Sequence, residues 1–577
     1  MSAGIRKHFL QYANLCCAFW GVLLIAGCAS GPTQQALQAS KETFKAGDVK
    51  RSLQGFESAY RSQSNKDTPY YLEKGYLLRL LGDESLSQSS LTLLEADKVV
   101  SDWEAQARTD LARSSLDFMN YFFSFIQSSA TYELKDFEKS MLSYTLAVNH
   151  VLAGRMDLAG VEARKMAQRE KLIEALHEKK ITALRAKKEQ GDSGATSRVE
   201  DIKGYPIHVI RSPEINALKN AYQSAAAHYL AGFIFESQGE KGLAAAGYRL
   251  AAELKPDVKL FRESLGKLDA SSLDNGSYAD TLIIVETGHV PRVYSQKLTY
   301  PIPTMRGYRL VTVRLPVIDA YQSFFQVNNL QVGDKAVNLV QATNLDTMVR
   351  RQLKDEMPGY LLKATTQAIS QVVAQEVAYH AGKAGMSKGN RNDGAAAAAM
   401  VGSLAALAAG AAMSAGDVDV RAWTTLPGAI YIGRRRFEKG EKKIVIPSPA
   451  GTSGANVVLK KDYELVYVRV LGNGAIVLNG APSDVTRAYL KMPQASKPES
   501  APAILSGFSF SDNLAERKVE SGKTESLAPQ STEKQVTEKD NSTPKKVNCQ
   551  NSSGFNKFMG LFGGKKEAPS DKEGDCE

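Results

Sequence analysis

The spacing of apolar residues changes once along this chain, near residue 278, and this change constrains the fold more than any other feature. From about 40 to 270, apolar residues recur every three or four positions and Ala, Leu, Lys and Glu dominate, as in amphipathic helices. After 278 the chain consists of short runs rich in Val, Ile, Tyr and Thr, separated by Gly, Pro and Asn, as in β-strands. The sequence therefore predicts an α+β fold, a helical region followed by a mainly antiparallel β region.

The β region is predicted to form a small sandwich or barrel. Asn473-Gly474 lies between two apolar runs and is a strong hairpin signal. A helical insert that includes an Ala/Gly-rich stretch is expected at 345–416, between the strands. The expected strands are 281–287, 308–315, 428–433, 442–446, 456–459, 463–471 and 475–478.

The helical region carries a repeated pattern, which is clearest at 228–256, where small, aromatic and proline residues lie at the offsets of a tetratricopeptide (TPR) repeat. Weaker copies upstream also place a glycine in the turn, at Gly47, Gly82 and Gly154. We therefore expect a TPR-like solenoid. The alternative is an irregular helical bundle, which would bury the same apolar stripes. The packing residues of the best copy are Gly232, Gly239, Ala244, Tyr248, Ala251 and Pro256.

The N-terminus has the order of a bacterial export signal. Arg6 and Lys7 form a positive region, and residues 19–26 form an apolar one. The run from Leu24 to Cys28 resembles the lipobox of bacterial lipoproteins, in which the cysteine thiol takes diacylglycerol and further acyl chains such as palmitate. The alternative is an ordinary signal peptide that happens to contain a cysteine. We predict a signal peptide over 1–27, lipidation of Cys28 and a tether over 28–40.

The residue after the lipidated cysteine bears on which membrane holds the anchor. An Asp at that position tends to keep lipoproteins of enteric bacteria in the inner membrane, so Ala29 favours the outer membrane and its periplasmic side. Several acyl chains anchor firmly, because each buried CH₂ contributes about 0.8 kcal/mol. The net charge of +10 is mild for 577 residues and indicates mixed, solvated charge. Nucleic acid is therefore not an expected partner.

The predicted domains are a helical one over 41–275 and a β-rich one over 276–490, followed by a polar tail. Residues 491–577 are rich in Ser, Lys, Glu, Pro and Gln and are predicted to be disordered. The tail holds Cys549 and Cys576, and the sequence leaves open whether they form a disulfide.

The Ala/Gly-rich stretch, 394–416, contains no charged residue and is long enough to span a bilayer. Alanine and glycine favour insertion far less than leucine or isoleucine does. The stretch is also a candidate for close helix contacts, because Ala406 and Gly410 are four residues apart. Three interpretations stay open: a helix buried in the β-rich domain, an interface for self-association or a partner, and membrane insertion.

With these features placed, the chain resembles a group of bacterial outer-membrane lipoproteins that pair N-terminal TPR-like helices with a C-terminal β-containing domain. The resemblance covers most of 20–490 and is centred on Arg421-Ala422-Trp423-Thr424-Thr425-Leu426-Pro427, which looks like the family's segment of Arg, Trp and Leu-Pro before a strand. It transfers no catalytic residues. We interpret Trp423 as a core anchor, with a ligand platform as the alternative. Ile284, Val285, Glu286, Gly288 and Pro291 look like the family's first C-terminal strand and turn.

The sequence offers few signatures of chemistry. It contains no HExxH, CxxC or P-loop motif, so neither a metal nor another cofactor is expected. Arg434, Arg435 and Arg436 are consecutive within a predicted strand. They predict either contact with an anionic ligand or, as the alternative, a solvated strand edge guarded by charge.

We therefore expect a non-catalytic, lipid-anchored scaffold that faces the periplasm and holds protein partners of the cell envelope on the concave face of its solenoid. One alternative is an envelope hydrolase that uses carboxylates of the β-rich domain, which a deep cleft with two inward acidic residues would favour. The other is a structural lipoprotein that self-assembles into homo-oligomers through 394–416.

Overall fold

A computed structural model of the protein describes residues 34–114, 117–118, 132–189, 199–268, 276–304, 307–387 and 418–480. The predictions for the export signal, Cys28, the Ala/Gly-rich stretch 394–416, the tail and its two cysteines lie outside the described residues.

The described chain begins with helices that pair into antiparallel hairpins. Glycines with positive φ turn four of these pairs: Gly47 at 104°, Gly82 at 112°, Gly154 at 74° and Gly239 at 75°. The repeat pattern in the sequence predicts a turn at each of these four glycines. The helices are α1 (Gln34–Ala46), α2 (Val49–Ala59), α3 (Thr68–Arg79), α4 (Leu86–Ala112), α5 (Asp136–Leu152), α6 (Met156–Glu189), α7 (Pro213–Ala217), α8 (Ala225–Ser237), α9 (Lys241–Leu254), α10 (Lys259–Lys267) and α11 (Leu345–Ser387).

Local capping fixes where several helices begin. The side chains of Asp48, Asp67, Ser212 and Ser224 each accept the backbone N–H three residues further along, which satisfies one of the free donors of the first helical turn. Helix α11 begins at Leu345, the predicted start of the helical insert, and contains Pro358.

The strands of the described residues form three sheets. A five-stranded sheet has the order β11-β10-β1-β7-β6, a four-stranded sheet has the order β5-β4-β8-β9, and β2 pairs with β3. The strands are β1 (Tyr278–Thr287), β2 (Val293–Thr304), β3 (Gly307–Ile318), β4 (Asn329–Val332), β5 (Lys335–Asn338), β6 (Val340–Asn344), β7 (Ala429–Glu438), β8 (Gly440–Ser448), β9 (Gly451–Leu459), β10 (Tyr463–Leu471) and β11 (Gly474–Leu478).

Pairing in the five-stranded sheet is antiparallel except between β1 and β10, which run parallel with Leu282 opposite Leu465. A parallel pair needs a long crossover connection, and here nearly all of the β region lies between the two strands. The α+β class is confirmed, with a helical region followed by mainly antiparallel strands.

The five-stranded sheet is covered on both sides. One side packs on the four-stranded sheet through a core that includes Ile283, Val285, Val466, Val468 and Ile444, as in a sandwich. The other side packs on helices, among them α1, α8 and α11. Strand β1 is therefore buried from Thr281 to Thr287.

The described residues divide into two compact units: those within 34–300 and 311–480 form the first, and those within 301–310 belong to the second. The first unit contains both the region predicted as a helical domain and most of the region predicted as a β-rich domain, because the helices cover the sheet. Among the described residues, no helix has the length and hydropathy needed to cross a bilayer. The helical hairpins are confirmed, whereas a TPR-like solenoid stays a prediction.

Candidate functional site

The helix-facing side of the five-stranded sheet carries buried charges. Because side chains alternate along a strand, Leu282, Ile284 and Glu286 of β1 share this side. Glu286 and Arg469 have no exposed surface, and they lie opposite each other on β1 and β10. A buried charge is costly unless it is paired and hydrogen-bonded. The partners of these two charged groups therefore show how the helices are held on the sheet.

Three tyrosine hydroxyls converge on the carboxylate of Glu286. Tyr467 donates to Oε2 at 2.6 Å, Tyr144 donates to Oε1 at 3.1 Å, and Tyr76 also donates to Oε2. These tyrosines belong to β10, α5 and α3, so one carboxylate links two helices to the sheet. Burial raises the pKa of all three hydroxyls, which keeps them protonated as donors.

Two buried arginines lie beside this carboxylate. The guanidinium of Arg79 stacks on the rings of two of the tyrosines, with its carbon 5.0 and 5.2 Å from the ring centroids. Arg469 donates to the backbone oxygen of Gly288 at 2.6 Å and lies 3.3 Å from Nδ1 of His289. We call these two arginines, Glu286 and its three tyrosines the Glu286 cluster. It is fully buried and joins the layers of the fold.

Arg434 lies on the same side of the sheet and belongs to a second network. Its five N–H groups donate to the carboxylate of Asp280 at 2.8 and 2.8 Å, to that of Glu236 at 3.0 and 2.9 Å, and to the hydroxyl of Tyr248 at 2.8 Å. All donors of the guanidinium are thus used within the protein. None of these donors is left for the anionic ligand that was one of the two interpretations of the arginine run.

Arg435 and Arg436 do not join Arg434 in one site. Arg435 is exposed and donates to the backbone oxygen of Ala336 at 2.9 Å. The guanidinium carbon of Arg436, also exposed, lies 5.8 Å from the ring centroid of Tyr278. Strand β1 pairs with β7 along its whole length, whereas β6 pairs only with 429–432, so among the described residues the three arginines lie where the other side of β7 has no partner in this sheet. The alternative interpretation, a solvated strand edge guarded by charge, stays a prediction.

The six residues predicted from the repeat pattern lie in and just after the α8–α9 hairpin. Gly232 lets the helices approach, since a Cβ there would lie 2.6 Å from the ring of Tyr248. Gly239 occupies the turn with positive φ. None of the six lines the pocket described below. Ala244 and Ala251 are fully buried, and Pro256 follows the end of α9 at Leu254.

The extended segment that carries Trp423 is held by two buried glutamates. Glu73 of α3 accepts the backbone N–H groups of Thr424 at 2.7 Å and Thr425 at 3.0 Å. Glu138 of α5 accepts the backbone N–H of Trp423 at 2.7 Å. The indole is fully buried and donates to the hydroxyl of Thr425 at 3.0 Å, as a core anchor would. The helices therefore bind a peptide segment of their own chain.

An open pocket of about 530 Å³ lies at the carboxyl ends of β1 and β10. Because these neighbouring strands are parallel, both end at the same edge of the sheet, where ligands of open sheets commonly bind. The wall comprises the turn 288–292 after β1, residues 470–472 at the end of β10, helix α1 and the loop 319–325. Its volume is within the range of about 300 to 1,000 Å³ found for small-ligand sites.

Aromatic side chains form part of the pocket wall and its surroundings. Phe44, Phe324 and Phe325 line the pocket. Phe325 is 37% exposed, and Tyr321 of the same loop is 61% exposed, with its ring centroid 6.4 Å from that of Phe324. Exposed aromatic residues beside a concave site are typical of surfaces that bind a partner.

His289 connects the pocket to the Glu286 cluster. It lines the pocket, contacts Arg469 and lies edge-on to Phe44 with a centroid distance of 5.1 Å. Burial, and then the charges of Arg469 and Lys45, lower the pKa of His289 well below its usual range. The imidazole is therefore neutral and can accept a hydrogen bond.

Lys41 of α1 is the most informative charged group of the pocket. Its side chain is partly buried, and within the described residues its amine has no hydrogen bond or ion pair. Burial lowers the pKa of Lys41, the charge of Glu73 opposes that shift, and the charges of Lys45 and Arg292 add to it. The amine is thus a cation whose environment disfavours its charge.

Sequence reasoning did not single out Lys41, His289 or the pocket. The pocket is assembled from parts of the chain that are distant in sequence, and Lys41 lies beside the predicted tether in a helix that contains many polar residues. The alternation of β1 was the available signal for Glu286, since it places this residue on the same side as two apolar ones.

No three His, Cys, Asp or Glu side chains in the described part of the chain are grouped so as to hold a metal ion. Comparison with protein-family models, curated proteins and solved structures gives no match to this chain. The resemblance to bacterial lipoproteins therefore stays a prediction from the sequence.

Proposed function

We propose that the protein is a lipid-anchored adaptor of the bacterial envelope and that a protein partner binds at the pocket at the carboxyl ends of β1 and β10. The lipobox that ends at Cys28 supports an anchor in the outer membrane, facing the periplasm. The pocket carries the binding part of the proposal, because it is open, has a volume of about 530 Å³ and lies beside exposed aromatic residues.

The pocket replaces the concave face of the helices as the proposed binding surface. Glu73 and Glu138 use their carboxylates to hold backbone N–H groups of the chain's own segment around Trp423. The helices also cover one side of the sheet. A partner that bound where a helical repeat usually holds a peptide would have to displace these contacts.

The hydrolase alternative receives less support from the same pocket. Asp319 and Asp346 both line it, as the alternative would require. However, Asp319 pairs with Arg292 at 3.3 Å, and Asp346 pairs with the buried Arg350 at 2.6 Å. Both carboxylates are therefore bound by arginines, whereas a general acid or base must be free to reach the substrate proton.

Site-specific photo-cross-linking in intact cells tests the proposal. With a photoreactive amino acid at Tyr321 of the full-length lipoprotein, we expect one discrete adduct with an envelope protein, identified by mass spectrometry. The adduct should be lost in a Cys28→Ser background, because the unanchored chain leaves the membrane fraction. The matched control carries the same amino acid at Ile181 of α6, which is 49% exposed. An absent adduct at 321, or the same adducts at both positions, would overturn the proposal.

A further inference from the structure

We propose that this pocket recognises a carboxylate carried on an apolar group, and that its occupant is the free C-terminus of a partner polypeptide with an apolar last residue. The inference rests on the proposed partner-binding function and specifies what part of the partner is bound. It follows from the charge balance of the pocket, the position of Lys41 and the apolar wall beside it.

The pocket is lined by three cations, of which two have counter-ions. Lys45 pairs with Glu42 at 3.0 Å, and Arg292 pairs with Asp319 at 3.3 Å. Lys41 is left as the lining cation without an ion pair in the described part of the protein. Lys41 therefore faces the pocket as a cation that has no ion pair.

The remaining acidic groups nearby are already in use. Asp346 accepts two hydrogen bonds from Arg350, at 2.6 and 3.1 Å. Glu73 accepts with both oxygens from the backbone at Thr424 and Thr425. Neither carboxylate can turn to Lys41 without leaving a buried donor unpaired, which costs about 1 to 3 kcal/mol.

A single carboxylate matches this arrangement best. It would give Lys41 the ion pair that it lacks and a charge-assisted hydrogen bond to its amine, which is stronger than a neutral one. It would also relieve the repulsion among Lys41, Lys45 and Arg292, which disfavours the charged amine. A dianionic phosphate would instead leave an excess negative charge close to Glu42 and Asp319.

The surroundings of Lys41 fit an apolar group attached to the carboxylate. Phe44, Val290, Pro291 and Phe324 line the same pocket and provide an apolar surface for one large side chain. From there, a peptide chain would leave the pocket past the exposed ring of Phe325. A free fatty acid shares this chemistry and is the competing source of the carboxylate.

Calorimetric titration of the purified full-length lipoprotein in detergent tests the inference with six probes. They are the peptides Gly-Ser-Gly-Ser-Ala-Phe and Gly-Ser-Gly-Ser-Ala-Leu, the C-terminal amide of each, dodecanoate and inorganic phosphate. We expect the free-acid peptides to bind about 10- to 100-fold more tightly than the amides, because a hydrogen bond to a charged group is lost in the amides. Lys41→Met should reduce the affinity for the free acids by a similar factor and leave that for the amides unchanged.

Lys50→Met on α2 is the matched control, since Lys50 is exposed and absent from the pocket wall. It should not change the affinity. Equal binding of acids and amides, binding of dodecanoate or phosphate without the peptides, or no binding of the peptides would each overturn the inference. Because the acid–amide comparison uses the unaltered protein, it does not depend on the folding of a variant. A positive cross-link at Tyr321 together with equal binding of acids and amides would reject this inference alone.

Discussion

The two sides of the five-stranded sheet bury different kinds of side chain. The side that packs on the four-stranded sheet is apolar, with Ile283, Val285, Val466 and Val468 fully buried. The side that packs on the helices buries carboxylates and guanidinium groups among apolar residues, with Glu286 and Arg469 fully buried. Both sides exclude water, but only the helix-facing side depends on directional contacts.

This difference indicates what each contact contributes. Apolar burial is non-directional and tolerates sliding and substitution. Three tyrosines on one carboxylate, or two carboxylates around Arg434, are satisfied in one arrangement only. We therefore interpret the charged side as the part of the fold that fixes where the helices lie on the sheet, and hence where α1 and Lys41 meet the pocket.

Removing the charge of Glu286 is the strongest way to break the helix-facing contact. Glu286→Gln keeps the shape but leaves Arg79 and Arg469 buried without the carboxylate, and loss of one partner from a buried charge network costs about 3 to 5 kcal/mol. We expect this drop in the free energy of unfolding in urea. Glu438→Gln on exposed β7 surface is the control and should change it by less than about 0.5 kcal/mol. Equal stability of the two variants would contradict the role given to the charged side.

The fold was largely predictable where local signals are strong. Strand β10 occupies 463–471 as predicted, and β11 follows it after a two-residue turn at 472–473, next to the predicted Asn473-Gly474 signal. Strand β2 and the short β4 to β6 were missed. The last three have only four or five residues each, too few to carry a clear periodicity. The parallel pairing of β1 with β10 is non-local, and no feature of either strand specifies its partner.

The sites were less predictable because their partners are distant in sequence. Three consecutive arginines at 434–436 suggested one charged surface, whereas alternation separates Arg434 from Arg435. Arg434 follows Ile430 and Ile432 at every second position, and this alternation was the available signal that Arg434 lies on a buried side of the strand. Alternation along β1 likewise places Glu286 on a buried side of the sheet, but it does not identify the tyrosine partners, which are 210, 142 and 181 residues away.

Lowering the pH should lower the free energy of unfolding, because helix α5 buries a histidine. His150 of α5 is 3% exposed, and burial lowers its pKa to about 3. An unfolded chain, with a histidine pKa near 6.5, takes up the proton first as the pH falls, so folding stability declines with acidification. The free energy of unfolding should fall by about 2 kcal/mol between pH 7 and pH 5 for this histidine alone.

His150→Gln tests this by the slope of stability against pH. The slope between pH 7 and pH 5 should decrease by the contribution of one proton, whatever the variant's stability at pH 7. His208→Gln, at an exposed position, should leave the slope unchanged. An unchanged slope in His150→Gln would mean that the folded state accommodates a charged His150.

Substitutions at Ile283 and Ile284 should have the smallest effect on stability but compare the two sides of the sheet most directly. The two residues are adjacent and equally buried, and their side chains point to opposite sides of the sheet. Each Ile→Val substitution should cost about 0.5 to 1.5 kcal/mol. Ile284→Val should be the costlier one, since its neighbour across the strands is Tyr467, which cannot move into the space without losing its bond to Glu286. In a double-mutant cycle with Glu286→Gln, measured by urea unfolding, Ile284→Val should be non-additive and Ile283→Val additive. Coupling of the same size on both sides would mean that the two contacts do not differ in kind.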